Sequence, residues 1–558
     1  MVTETHLKKG RRLLKRGEWK EAKSIFEQAL AVPESAGEAF EGLGTACSWL
    51  NDAEATIRAR EQAFHFYQQA ADNQSAARVA AWLAIDYAEF RGEHAVANGW
   101  LQNALRLAAE LGPCYERGFV LGVAAAVKMF AEKDLKGARK LAREASEIAR
   151  TIGNADGLLM AGALEGLALV SEGKVHEGMR LLDESTATAF GGVCEDLYII
   201  GSSCCCLITA CEKVRDFDRA GQWCNQVKEF CRRWRIGSLF AVCRTQYSSV
   251  LLSRGEWPEA EEEITLATEE LSERRPALVS AATVRMAELR RRQGRVEEAR
   301  SLFQSAEGHP LALLGMGALA LGEQEWETAA EFAERFLRRA PVGATMDQVP
   351  GFELLIKACT RTGNLERAKK AFESLRSVAE IVSTEPLTAA KSFAGGLIAT
   401  SEGRLQKALA CFEDALDLFE EARMPFESIE ARIEVARTLK QLGRDARARM
   451  EAESAFRHAE SMGAGSLMGE VQHLLPGSQP RQQSSPQAHV LSPREREILM
   501  HITEGKDNSR IADELFLSVR TVERHISNIY QKLGISGKSA RTAAVMFALK
   551  NLKGGEQR

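Results

Sequence analysis

The sequence predicts an all-α protein: a long array of stacked helical hairpins, then a polar linker, then a small helical module. Three observations carry this reading. A motif of Gly, a charged residue, a bulky residue and Ala recurs about every forty residues along most of the chain. The 558 residues include only 13 prolines and are rich in Ala, Leu, Glu and Arg, which favour helix, and no alternating strand pattern bounded by hairpin turns recurs. Between residues 476 and 490 the texture changes to Pro, Gly, Ser and Gln, which leaves almost nothing to bury and predicts a flexible linker.

The first copy of the motif is Gly17-Glu18-Trp19-Lys20-Glu21-Ala22, followed by Phe26 and Ala29. It returns at Gly92, Lys133, Gly173, Asp216, Gly255, Gly294, Gly363, Gly403 and Gly443, with weaker copies near Asn51 and Trp326, and most copies start 39 to 41 residues apart. A period of this length marks helical hairpins. The Gly closes one helix, the charged residue opens the next, and Ala lets the two approach; Ala22, Phe26 and Ala29 share one helix face. The first copy resembles a tetratricopeptide repeat, with Gly17, Trp19, Ala22, Phe26 and Ala29 at that family's spacing and Pro33 near its terminal proline. Later copies exceed the usual 34 residues, so the array is tetratricopeptide-like. About twelve hairpins over residues 1–475 are expected to wind into a right-handed superhelix. Its concave surface is expected to bind a protein, peptide or small molecule; a plain scaffold is the alternative.

After the linker, Ser492, Pro493 and Glu495 form a helix-starting capping box. That helix runs to about Glu504 and stops at Gly505. A second begins after Asp507 and buries Ile511, Ala512 and Leu515. Phe516-Leu517-Ser518 is a turn, and Ser518 caps a third helix reaching Leu533; Gly534 ends it, and a fourth covers about Lys538 to Leu549. In the third helix Val522, Ile526, Ile529 and Leu533 make one apolar stripe. Arg520, Arg524, Ser527 and Gln531 lie on the opposite face, and Thr521, His525, Asn528 and Lys532 on the flank between. A recognition helix in a major groove needs this division. Arg524 is the expected guanine reader, because its fork can engage O6 and N7 together. Thr521, Asn528 and Lys532 suit phosphates, and Asn508 and Ser518, at the helix starts, complete the DNA-binding set.

Residues 491 to about 550, within a domain taken as 491–558, resemble the LuxR-type helix-turn-helix family of bacterial transcription regulators. The resemblance rests on Leu491-Ser-Pro-Arg-Glu-Arg-Glu, Glu504-Gly505, Ile511-Ala-Asp-Glu-Leu515, Ser518 through Ile529, and Lys532-Leu-Gly534. It implies a four-helix domain whose third helix enters the major groove and whose fourth often dimerises. Where the family usually shows Ser-Arg-Thr-Glu-Ala, this chain has Ser536 through Ala543, which departs from the pattern at the fourth helix but not on the DNA face.

The net charge is −4, divided unevenly: residues 491–558 hold 12 Lys/Arg against 8 Asp/Glu, so +4, and the remainder is −8. A basic module on an acidic body fits a nucleic-acid partner at one end. The charged first seventeen residues lack the apolar run of a secretory signal. Leu197 to Cys211, the longest apolar stretch, falls short of the ~20 residues that span a bilayer and reads as a buried helix. A cytoplasmic location follows, where thiols stay reduced. Of the 12 cysteines, eight lie between Cys194 and Cys243, without zinc-ligand spacing, and read as small packing residues. No receiver-type α/β stretch, Gly-x-x-x-x-Gly-Lys-Ser/Thr loop, Gly-x-Ser-x-Gly elbow or His-Glu-x-x-His occurs. The reading is therefore a non-enzymatic, sequence-specific DNA-binding transcription regulator with no catalytic residue, cofactor or metal. Its partners are double-stranded DNA, an effector on the array, a second copy on DNA and, as a candidate, RNA polymerase, with no membrane. An interaction scaffold whose DNA-binding domain no longer reads sequence is the competing reading.

Overall fold

The computed structural model describes residues 2–32, 35–194, 196–234, 237–475, 493–515 and 519–532, with 541, 544, 545 and 548. Every regular element among them is helical. The linker assignment 476–490, Pro33, Ser492, the 516–518 turn, Leu533, Gly534 and the bounds of the fourth terminal helix lie outside the described residues. Two compact units are present, Met1–Pro476 and Gly477–Arg558.

The first unit consists of twelve hairpins among the described residues. They are Val2–Lys15 with Trp19–Ala29 (α1, α2), Ala36–Trp49 with Ala53–Gln69 (α3, α4), Asn73–Asp86 with His94–Ala109 (α5, α6), and Tyr115–Phe130 with Leu135–Ile152 (α7, α8). Ala155–Ser171 with Val175–Thr188 (α9, α10), Leu197–Val214 with Phe217–Trp234 (α11, α12), Gly237–Ser253 with Trp257–Arg274 (α13, α14), and Val279–Arg292 with Val296–Ser305 (α15, α16) follow. Pro310–Gly322 with Trp326–Arg339 (α17, α18), Val349–Thr362 with Leu365–Val382 (α19, α20), Glu385–Ser401 with Leu405–Glu421 (α21, α22), and Pro425–Gln441 with Asp445–Met462 (α23, α24) complete them, and Gly465–Gln472 (α25) packs on the last pair.

The recurring glycine has a local cause. Each hairpin turns through one residue with left-handed backbone: Gly at 17, 92, 173, 255, 294, 363, 403 and 443, and Asn51, Lys133, Arg215 and Gln324 in the other four. The next N–H reaches back to a carbonyl in the closing helix turn, as in Glu18 to Leu13, Glu256 to Leu251 and Arg444 to Leu439. This cap satisfies carbonyls that a helix end leaves open, and glycine adopts it without a Cβ penalty. The Ala of the motif sits where the paired helices cross: Ala22, Ala220, Ala260, Ala299, Ala329, Ala368 and Ala408 are all 0% exposed. Gly178 replaces it in α10, and a Cβ there would stand 2.6 Å from the Gly166 carbonyl oxygen, so α9 and α10 meet backbone to backbone. The aromatic position fills the space that glycines leave on first helices. Phe26 lies against Gly10 and Gly42, Phe303 against Gly315, and Phe412 against Gly396.

The hairpins do more than stack on their neighbours. Glu89, beside α5, pairs with Arg275 at the end of α14. Arg215, after α11, reaches Glu353 of α19 at 2.9 Å, and Arg285 of α15 reaches Glu212 of α11 at 3.2 Å. Arg292 of α15 pairs with Glu427 of α23 at 3.0 Å; Lys357 and Arg361 of α19 pair with Glu430 and Glu434 of α23 at 3.0 and 2.9 Å. The first helices of hairpins six, eight, ten and twelve are thus bridged by charge. Half-buried pairs of this kind add little net stability, but a wrong partner would strand a charge. Burial alone would raise the Glu288 carboxyl, yet Arg291 and Arg292 hold it down at about 2. These first helices of the array's second half are therefore tied to one another by the chain's own ion pairs.

By length and composition α11 is the one described helix that could cross a bilayer. It extends three residues beyond the apolar stretch seen in the sequence, through Glu212 and Lys213 to Val214. Two-thirds of it is buried inside the array. Cys204, Cys206 and Cys211 are buried on it, and burial pushes the thiols of Cys206 and Cys211 up, as it pushes Cys224 up to about 12. Cys205 differs: the Cys243 side chain hydrogen-bonds to it and holds its pKa below the ordinary thiol value. No group of His, Cys, Asp and Glu able to hold a metal occurs among the described residues.

Candidate nucleic-acid interface

In the second unit the described helices are Pro493–Thr503 (α26), Asn508–Leu515 (α27) and Val519–Lys532 (α28). Gly505, with φ of +78°, ends α26 through the same kind of left-handed cap as the array hairpins, and the Lys506 N–H returns to the His501 carbonyl. Asp507 then starts α27: its carboxylate accepts from the Arg510 N–H at 2.9 Å and its carbonyl from the Ile511 N–H. Lys506 bridges the two helices, pairing with Glu504 at 2.8 Å and with Glu514. The hydrogen bonds to Glu504 and Glu514 raise its ammonium above the ordinary value.

One core holds the helices together. Ile498, Leu499 and Ile502 of α26 meet Ile511 and Ala512 of α27 and Val522, Ile526 and Ile529 of α28, with Ala544 and Ala548 closing the cluster. Leu515, expected to be buried, is half-buried at its edge. Residues 541, 544, 545 and 548 are helical, in the region where the sequence predicts the fourth helix.

This core sets the aim of α28. Val522, Ile526 and Ile529 are 0, 6 and 0% exposed, which fixes the buried side of the helix. At 3.6 residues per turn, positions 520, 524, 527 and 531 then stand about opposite, and 521, 525, 528 and 532 on one flank. All eight expected residues of this helix, Arg520, Thr521, Arg524, His525, Ser527, Asn528, Gln531 and Lys532, belong to α28. The side chains of all but His525 lie outside the described residues, as does Ser518. His525 is half-buried at the border of the core, and Asn508 is the first residue of α27. Val519 and Glu523, four residues apart and both exposed, form the other flank, which sequence reasoning left unassigned.

Arg541 is a structural residue that sequence reasoning missed. Its guanidinium donates to the Lys506 carbonyl at 2.6 Å and to Asn508 Oδ1 at 3.0 Å, tying the fourth segment to the start of α27. The oxygen of Asn508 is therefore engaged within the domain, and its amide N–H groups are what it can offer a phosphate. Arg541 lies inside Ser536–Ala543, the stretch where the chain departs from the family's usual pattern.

Residues 489–548 match the family described as bacterial regulatory proteins, luxR family, and residues 352–378, in α19 and α20, match a PPR repeat. The chain is 40% identical over 82 residues to the probable transcriptional regulatory protein NarL of Mycobacterium tuberculosis, covering 15% of this chain and 34% of that one. It is 48% identical over 50 residues to the spore germination protein GerE of Bacillus subtilis, covering 9% of this chain and 68% of that one. The chain thus spans about a third of the length of NarL. Among solved structures, the Cut9 and Hcn1 assembly of the APC/C matches over 97% of this chain and 95% of its own, at 13% identity and a TM-score of 0.46.

Proposed function

Since the chain belongs, through its C-terminal domain, to the luxR family of bacterial regulatory proteins, we propose that it is a sequence-specific DNA-binding transcription regulator whose helical array senses a protein, peptide or small-molecule partner. The domains of this reading are the array 1–475, a linker 476–490 and the DNA-binding domain 491–558. The observation that carries it is the amphipathic register of α28. A side locked by Val522, Ile526 and Ile529 leaves positions 520, 524, 527 and 531 facing away from the core. Arg524 reads a guanine edge, with Arg520, Ser527 and Gln531 beside it; Thr521, His525, Asn528 and Lys532, with Asn508 and Ser518 at the helix starts, hold phosphates. The protein acts in the cytoplasm as a homodimer on its site, where RNA polymerase is the machinery it addresses.

The test is selection from a random duplex pool by the full-length protein, with occupancy of the selected site then measured with and without cell extract. A recurrent two-half motif is expected, with occupancy that shifts on adding extract. A selected pool no different from the input overturns the DNA-reading assignment and favours an interaction scaffold. A motif whose occupancy ignores every extract fraction leaves DNA reading in place and removes the sensing role.

A further inference from the structure

The array as a whole is acidic, but its first helix is not. Residues 1–20 carry seven Lys/Arg against Glu4 and Glu18, so +5, whereas residues 21–490 carry 54 against 67, so −13. No acidic residue occurs from Thr5 to Gly17. Elsewhere in the array exposed cations are commonly answered from their own helix, as in Glu54 with Arg58, Arg180 with Glu184, and Arg449 with Glu453. On α1 the packing separates the charges from the core. Leu7 and Gly10 are buried and Leu13 and Leu14 half-buried, while Arg11 leans to Glu38. Lys9 and Arg12 of α1, with Arg16 in the turn directly after it, fall at i, i+3 and i+7 on another side and are exposed.

We propose that this face of α1 is a second, sequence-independent binding surface for the phosphates of duplex DNA. The proposal rests on the DNA-binding reading above and extends it to the array. Lys9 to Arg16 spans about 10 Å of helix axis, a length over which duplex DNA carries about six negative charges. The acidic body of a second copy spreads its −13 over 470 residues and offers far lower charge density.

The test compares the full-length parent with the triple variant Lys9→Gln, Arg12→Gln, Arg16→Gln on two 40-base-pair duplexes, one carrying the selected site and one scrambled, over a range of salt concentrations. Melting by circular dichroism checks that the array is unchanged, as expected for exposed positions. Both duplexes should lose affinity by the same factor, and the salt slope should fall by about 2–3, near 0.9 for each lost contact. Unchanged slopes overturn the proposal, and a variant that loses mass in sedimentation with its slope intact assigns the face to a second copy instead. A parent that binds neither duplex overturns the DNA-binding reading as well; a parent that binds beside an equally tight variant overturns this proposal alone.

Discussion

In the array, one hairpin solution is repeated: a left-handed turn, a small residue at the helix crossing, and charge bridges between first helices far apart in sequence. In the C-terminal unit the buried apolar cluster among the described residues has ten members, and three of them, Val522, Ile526 and Ile529, also set the direction of the proposed reading face. Redundancy in the first region tolerates local damage, because each hairpin between the two ends packs on two neighbours and some are tied to a third partner. In the second, folding and function hang on the same side chains. The array's ion pairs link first helices far apart in sequence; the small domain's apolar stripe fixes which way a helix points.

The sharpest way to break this contrast is to hollow out each core. Ile529→Ala removes a fully buried side chain from the small cluster and should cost about 2–5 kcal/mol, enough to abolish DNA binding and remove the domain's unfolding transition. The array transition should stay where it is. Phe412→Ala should cost about 3–5 kcal/mol, leaving the ring's place beside Gly396 empty, and should lower the array melt without touching the isolated domain. Calorimetry on both variants decides; a single shared transition that moves in both would show that the two regions unfold together.

A smaller effect tests the array's polar side. Burial, opposed by a hydrogen bond from the Tyr198 N–H and aided by nearby Asp156, raises the Asp196 carboxyl to about 6. Because the folded value lies above the unfolded one, the stability it contributes is present below pH ~4 and is lost as pH rises through about 6. Asp196→Asn keeps the acceptor for Tyr198 and carries no charge. It should exceed the parent's stability by about 1–2 kcal/mol at pH 7 and match it near pH 4, read from urea midpoints. Equal destabilisation at both pH values would mean that the cap, not the buried charge, dominates.

The smallest effect concerns the turns. Gln324 holds a φ of +66° where eight of the twelve hairpins place glycine. Gln324→Gly should raise array stability by about 0.5–1 kcal/mol, the relief of left-handed strain less the entropy added to the unfolded chain. No gain in urea midpoint would show that the turn is held by contacts outside its backbone.

These turns also mark how far the sequence could be read. Glycine with Ala five residues later exposed the period, because a left-handed cap and a close helix crossing leave local signatures. Lys133, Arg215 and Gln324 take the same backbone conformation, and nothing in their side chains announces it. The bridges from Arg215 to Glu353 and from Arg292 to Glu427 were invisible for a different reason: charges more than a hundred residues apart have no shared period. In the C-terminal domain the stripe of α28 was legible because it is amphipathic over three turns. Arg541 was not, since a tertiary bond to a backbone carbonyl selects for reach and charge rather than for spacing.

If α28 divides base reading from phosphate holding, two substitutions measured together separate the two roles. Arg524→Ala and Lys532→Ala should each be titrated against the selected duplex and its scrambled counterpart at two salt concentrations. Arg524→Ala is expected to lose about 1–3 kcal/mol on the selected site alone, with relaxed preference at one position per half-site. Lys532→Ala is expected to weaken both duplexes equally and to lower the salt slope by about one. If Arg524→Ala weakens both duplexes to the same extent, the face assigned to base reading is wrong.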